Sequence, residues 1–264
     1  MFDFHLDKER YFEMQRQVTA EYIIPFIESH VFECNGKRVL EIGCAEAGVL
    51  KAFIDHGNIG VGVELSVSRY ESAKEFLKIE IQQNKFSIIN KNIYEISDPK
   101  SEFGELFDLI ILKDVIEHIP DQEKFISHLR NFLNVNGAIF FAYPPWYMPF
   151  GGHQQMCKNK FLSKLPWLHL LPSEVYKWVF KKFGEHENTV KELLEIKSTG
   201  ISIDRLYRLL NNNNFHVTGE IFWFINPIYK WKFRIKSRKV LYLFTKIPYL
   251  RSFYTTAHYI IFRS

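Results

Sequence analysis

The stretch 38–48, Arg-Val-Leu-Glu-Ile-Gly-Cys-Ala-Glu-Ala-Gly, leaves little choice of architecture. An apolar run carries the carboxylate Glu41, a small-residue loop follows at once, and 49–56 reads as a helix. A second apolar run, Ile59–Val63, then ends in another acid, Glu64. Strand, tight loop, helix and acid-ended strand form the layout of a nucleotide site on a parallel sheet. The loop lets backbone approach a ligand, and the helix N-terminus presents N–H groups with no partner inside the helix. An acid about twenty residues downstream accepts both hydroxyls of a ribose.

The pattern repeats. Phe86–Ile89, 108–112 and 138–143 read as further strands, and the near-continuous apolar run 108–112 is expected to be buried on both faces. Helices are expected over 66–81, capped by Ser66 or Ser68, and over 122–133, with Asn136-Gly137 turning into the fifth strand. Five strands alternating with helices predict a doubly wound α/β sheet. Residues 8–32 read as helices split at Pro25, with Tyr11, Phe12, Tyr22, Ile23, Phe26 and Ile27 on one side; they cover a binding site or simply pack. Beyond Pro144-Pro145, residues 146–198 are aromatic (Trp146, Tyr147, Phe150, Trp167, Trp178), with a hinge at Gly151-Gly152. They form a lid over an apolar or ring-bearing acceptor, or a small core of their own, which accounts for most of them. A helix over 203–210, a turn over 211–214 and strands over 215–224 and 257–262 complete the reading.

The ligand follows from the charges. The spacing Gly43-x-Ala45-x-x-Gly48 weakly mimics a dinucleotide loop, but Ala45 stands where glycine lets a pyrophosphate approach. Glu41 would also face two phosphates, a repulsion that is costly in a partly dry site. S-adenosyl-L-methionine (SAM) has no phosphate and carries an ammonium and a sulfonium. The segment resembles motif I of the class I SAM-dependent methyltransferases, commonly Glu/Asp-x-Gly-x-Gly-x-Gly, departing from it at Ala45 and Ala47. Alanine is poor at positive φ, so the loop is expected to use negative φ there or to be strained. After the fourth strand, Lys113-Asp114-Val115-Ile116-Glu117-His118-Ile119-Pro120-Asp121 resembles the Asp-Val-Leu-Glu-His-Ile-Pro-Asp segment of methyltransferases related to ubiquinone-biosynthesis enzymes.

The resemblance covers 36–143 and 200–225 well and 256–263 loosely. It implies a Rossmann-like methyltransferase sheet of seven strands, the last antiparallel, with a helical cap insertion. The chain is then one domain, 1–264, with N-terminal helices over 1–33, a substrate cap over 144–199 and a basic aromatic insertion over 226–255. SAM would be held by Glu41, Gly43, Cys44, Ala45, Gly48, Glu64, Leu65, Ser66, Asn92, Ile93, Lys113 and Asp114. Asn92 occupies the corner where the family usually supplies an Asp for the adenine amino group.

Methyl transfer is an in-line displacement, so the protein must mainly hold the nucleophile close and aligned. A hydroxyl acceptor also needs a base, for which His153 is the first candidate. His118 faces the site or fixes its own loop. The expected reaction is O-methylation of a small molecule, a sugar or other glycan, or a lipid-linked intermediate, with N- and C-methylation open. Two alternatives stand: an NAD-dependent oxidoreductase or epimerase on a similar sheet, and a non-catalytic adaptor with this fold.

The net charge of +4 hides an asymmetry. Residues 221–264 hold nine Lys/Arg and no acid, which leaves 25 bases against 30 acids in residues 1–220. The basic, aromatic tail reads first as a solvated face, second as a contact with anionic membrane or a lipid-linked substrate, and third as a nucleic-acid contact, for which no RNA-binding motif is present. Three cysteines suit a reducing compartment, and no CxxC or His-rich run points to a metal. Residues 1–7 carry acids where a secretory leader needs a basic start, and no run reaches ~18 apolar residues. The expectation is a cytoplasmic protein, peripheral at most to the inner face of a membrane.

Overall fold

The computed structural model describes residues 7–264, so 1–6, on which most of the leader reading falls, lie outside the described residues. Eight strands form one sheet: β1 Arg38–Ile42, β2 Ile59–Val63, β3 Phe86–Ile89, β4 Phe107–Lys113, β5 Leu133–Tyr143, β6 His216–Ile225, β7 Arg238–Lys239 and β8 Ala257–Arg263. Their order is β3-β2-β1-β4-β5-β8-β6-β7. The first five pair in parallel, and β8 lies antiparallel between β5 and β6. This is the expected mixed sheet, extended by the short edge strand β7. Winding reverses between β1 and β4, and a crevice opens beyond the C-terminal ends of such a pair.

Alternation along the strands feeds two cores. Leu109, Ile111 and Phe140 join Leu50, Phe53 and Ile27 on one face. Leu40, Ile110 and Phe141 join Phe125, Leu129 and Leu206 on the other. Successive side chains point to opposite faces, so a strand covered on both sides must be apolar throughout.

Several boundaries differ from expectation for local reasons. Pro25 does not split the N-terminal helices: Lys8–Val18, a π turn at Thr19–Ile23 and Ile24–His30 run on without a break. The wider turn accommodates the missing proline N–H. The helix expected over 66–81 divides into Val67–Phe76 and Lys78–Gln82 at Leu77, which is fully buried with φ −109°, and Ser66 makes no side-chain cap bond. The helix expected over 122–133 stops at Leu129, followed by the 3-10 turn Arg130–Phe132. Asn136-Gly137 is then not the entry to β5 but an irregularity inside it. Asn136 has φ 67°, and the register jumps from Phe107↔Leu133 to Leu109↔Ala138.

The segment after β5 packs the helices Ser173–Lys182 and Glu187–Thr199 around Leu162, Leu168, Tyr176, Phe180 and Leu193. Its two ends are tied to each other and to the turn after β4. The Trp146 N–H donates to the Ile201 carbonyl at 2.8 Å, and the Thr199 hydroxyl donates to the Glu117 carbonyl at 2.6 Å. Residues 226–255 contribute the short helices Tyr229–Phe233, Tyr242–Thr245 and Leu250–Tyr254. Among the described residues no helix is long and apolar enough to cross a membrane.

Candidate active site

The ends of β1, β2 and β4 bound a cavity of about 280 Å3. Of the residues singled out in the sequence, Glu41, Gly43, Cys44, Ala45, Gly48, Glu64, Lys113, Asp114 and His118 line it. Tyr11, Phe12 and Gln15 of the helix Lys8–Val18, together with Arg69, complete the wall. The sequence reading left the N-terminal helices, with Tyr11 and Phe12 on one side, either to cover a binding site or simply to pack, and did not single out Gln15 or Arg69. The volume lies near the low end of small-molecule pockets, roughly 300–1,000 Å3.

The loop after β1 is strained rather than extended. Gly43, Ala45 and Ala47 have φ of 71°, 49° and 64°. An alanine in the left-handed region costs about 1–2 kcal/mol, so its neighbours must hold it there. They do so through Glu64, whose Oε2 accepts from the Ala45 N–H and whose Oε1 accepts from the Ser66 N–H, each at 2.8 Å. An ionised carboxylate has about four acceptor positions, so two remain. Gly48 serves packing: a Cβ there would lie 2.4 Å from the Phe12 carbonyl oxygen, so only glycine lets the N-terminal helix close over the loop.

Glu41 is 2% exposed, and its Oε2 has no hydrogen-bond partner among the described residues. Burial pushes its carboxyl well above the usual range, against the pull of Lys113 and with the push of Glu64. An organic cation is the partner that would restore the ionised form. Glu46, Glu64 and Asp114 also line the cavity, against Lys113 and Arg69. Such an excess of carboxylates suits an ammonium or sulfonium and repels a pyrophosphate. These residues therefore fit SAM better than NAD.

The turn after β4 holds the other chemistry. Burial opposes the charge on Lys113, but Asp114, whose carboxylate lies 2.6 Å away, keeps its ammonium above the ordinary value. Burial likewise opposes the charge on Asp114, and Lys113 holds its carboxyl below the ordinary value. Asp114 itself has φ 57°. Burial lowers His118, against the attraction of Asp114. Burial also pushes His153 down to about 4, helped by His118. The two imidazoles meet edge to face with ring centroids 5.1 Å apart. Glu117, beside them, is 2% exposed, and neither of its carboxylate oxygens has a hydrogen-bond partner among the described residues. The sequence reading passed over Glu117 as part of a motif; the signal available was the spacing Asp114-x-x-Glu117-His118.

Other expected contacts lie elsewhere. Leu65, Ser66, Asn92, Ile93 and His153 are outside the cavity lining. Leu65 is 66% exposed, and the Asn92 side-chain carbonyl accepts from the Tyr94 N–H at 3.1 Å. The Tyr-x-x-x-Lys spacing that the oxidoreductase alternative needs occurs at Tyr70/Lys74 and Tyr242/Lys246, and neither pair lines the cavity. The basic insertion reaches the site. Burial brings Lys232 to about 8, with Lys113 lowering it further and Asp114 opposing, and its ammonium lies 5.7 Å from the Tyr11 ring centroid.

A protein-family model described as a methyltransferase domain matches residues 14–185. The ubiquinone biosynthesis O-methyltransferase of Pasteurella multocida is 27% identical over 124 residues, 45% of this chain and 51% of that protein. The protein of the same name from Coxiella burnetii is also 27% identical, over 45% of this chain and 48% of its own length. The chain thus spans about half the length of the curated relatives it matches. Among solved structures, the magnesium protoporphyrin IX methyltransferase of Synechocystis PCC 6803 with bound SAH superposes with a TM-score of 0.54 at 12% identity, covering 95% of this chain and 84% of that one. An S-adenosylmethionine-dependent methyltransferase of Clostridium acetobutylicum does so at 0.55 and 11% identity, covering 94% and 91%. At these identities the structural matches establish the fold.

Proposed function

The chain belongs to the methyltransferase-domain family, and from that premise we propose that it moves a methyl group from SAM to an oxygen of a small-molecule, glycan or lipid-linked acceptor. The observation that carries the cofactor is Glu41, a buried carboxylate with an unpartnered oxygen at the end of β1, in a cavity where carboxylates outnumber bases. Glu41 and Asp114 meet the cationic end of the ligand. Glu64 offers its two remaining acceptor positions to the ribose, and the Gly43–Gly48 loop supplies backbone. When bound, SAM contributes a methyl carbon already activated by its sulfonium. Oxygen as the acceptor atom is supported by the O-methyltransferase names of the curated relatives.

His118 and His153 belong to the acceptor side of this reading. An imidazole held near 4 is uncharged at neutral pH and free to accept a proton, though with little driving force as a general base. Replacing His153 by Ala should leave SAM affinity unchanged and slow turnover of the true acceptor by roughly 10²-fold or more. A rate within a few-fold of the parent would remove it from the chemistry.

The primary test is parallel calorimetric titration with SAM, S-adenosylhomocysteine and NAD. Binding of the first two and none of NAD is expected. Binding of NAD alone would overturn the reading.

A second proposal concerns the insertion 226–255. Leu241, Tyr242 and Leu243 are 71%, 75% and 71% exposed beside Lys236, Lys239 and Lys246. Exposed aliphatic and aromatic groups among bases favour contact with an anionic lipid surface over a purely solvated face.

A further inference from the structure

Charge is sorted across this site. Within the cofactor cavity the acids Glu41, Glu46 and Glu64 face Arg69. At its edge stands Asp114, and there the basic groups collect. Burial opposes the charge on Asp114, yet Lys113, Lys232 and His153 together hold its carboxyl below the ordinary value. Lys232 and His153 lie outside the cavity lining while acting on a carboxylate inside it. They therefore bound a space next to the cofactor cavity.

Two insertions bring them there. Lys232 belongs to the short helix Tyr229–Phe233, and His153 precedes the 3-10 turn Gln154–Met156 after β5. The stacked rings of Tyr147 and Phe253, with centroids 5.3 Å apart and planes at 15°, join the same two insertions. Tyr11, which lines the cofactor cavity, meets Lys232 from the N-terminal helix, the ammonium lying 5.7 Å from the ring centroid. The nearby acids do not cancel these bases. Asp114 pairs with Lys113 at 2.6 Å, and burial, reinforced by Asp114, pushes Glu117 well above the usual carboxyl range. Burial first and Lys113 second bring Lys232 down to about 8 against the pull of Asp114. An ammonium lowered in this way gains when a further negative charge arrives beside it.

We propose that Lys232 is a specificity-determining residue for an acceptor that carries an acidic group, a carboxylate or a phosphate, and that its ammonium pairs with that group while the oxygen to be methylated faces the donor. This substrate class rests on the methyltransferase reading. Holding the acceptor by a charge away from the reacting oxygen aligns the nucleophile with the methyl carbon, which is what methyl transfer chiefly requires. A neutral molecule of the same shape forgoes the pairing and is discriminated against.

The test titrates the SAH-loaded chain by calorimetry with benzoate, phenyl phosphate and the neutral benzyl alcohol. At least one anion should bind in the millimolar range or tighter, and about ten-fold or more better than benzyl alcohol. The two anions tell a carboxylate from a phosphate. Lys232→Gln should abolish the preference, Lys232→Arg should retain it, and SAH should still bind to both variants. A pH series separates pairing from a merely structural lysine. The groups facing Lys232 are Tyr11 of the N-terminal helix, Lys113 and Asp114 after β4, His153 of the cap and Tyr229 of its own helix. Burial raises Tyr11 and Tyr229, Lys113 is raised, and Asp114 and His153 are lowered, so Lys232 is the member that changes charge near 8. Anion affinity should thus fall in the parent as pH rises past about 8 and stay level in Lys232→Arg, whose guanidinium keeps its charge. SAH binding with no anion bound, with benzyl alcohol bound equally well, or with a preference that survives Lys232→Gln defeats this inference alone. Absence of SAH binding defeats the methyltransferase reading, and the same anion titrations of the unloaded chain then decide the Lys232 site by themselves.

Discussion

Glu64 does two jobs with one carboxylate. It pins the strained loop through the Ala45 N–H, accepts from the Ser66 N–H of its own turn, and keeps two acceptor positions for a ligand. Glu64→Ala should therefore weaken SAM by about 1–3 kcal/mol, the usual cost of a lost charge-assisted hydrogen bond. Unchanged affinity by calorimetry would remove the ribose assignment. The two alanines of that loop respond differently to glycine. At Ala45, glycine relieves about 1–2 kcal/mol of left-handed strain and returns about 0.4–1 kcal/mol through greater unfolded-state freedom. A net gain of roughly 0.5 kcal/mol in denaturant unfolding is expected. At Ala47, fully buried, the lost methyl contact of ~0.8 kcal/mol offsets that gain, and the variant should be neutral. His169 supplies a pH test. Burial pushes it to about 4, and its Nε2–H donates to the Trp146 carbonyl at 2.7 Å. Its folded value lies below the unfolded one of about 6.5, so the unfolded chain binds more protons between the two. The stability tied to neutral His169 is thus present above about 6.5 and lost as pH falls toward 4. His169→Asn should flatten the melting-temperature profile across that window; an unchanged profile would count against it.

At the scale of elements, the closure of the N-terminal helix over the loop depends on Gly48. Gly48→Val should push Phe12 and Gln15 away, lower stability by about 1–3 kcal/mol in thermal unfolding and weaken SAM together with it. A parent-like melt and affinity would show that the helix does not seal the site. Much of the sheet was legible because β1, β2 and β4 are apolar runs that end in charged or polar corners, a pattern set by burial on both faces. What failed were signals that tertiary contacts override. Asn136-Gly137 looks like a turn, yet the pairing of β4 with β5 absorbs it as an irregularity. Pro25 looks like a break, yet a π turn carries the helix past it. The cavity acids Glu41 and Glu64 were readable from their places at strand ends. The buried Glu117 was not, because its neighbour His153 reaches it only through the path of the cap.

Across the whole molecule, the acidic body and basic tail meet at the site, where Lys232 lies near Lys113 and Asp114. The outer side of the same insertion carries Leu241, Tyr242 and Leu243. The chain should co-sediment with anionic vesicles and release as salt shortens the screening length to ~10 Å or less, and Leu243→Ser should weaken the association. Absent or salt-insensitive binding would return the tail to a solvated face. The position of β8 has a different consequence. This strand fills the gap between β5 and β6, and its partners on β5, Ile139 to Tyr143, are almost wholly enclosed. The other seven described strands of this sheet precede β8 in the chain, so a nascent chain that has reached only residue 256 holds five parallel strands with a bare, oily flank along β5. Such an edge invites pairing with a second nascent chain. Folding of this sheet is therefore a race between the arrival of β8 and the neighbours that could take its place.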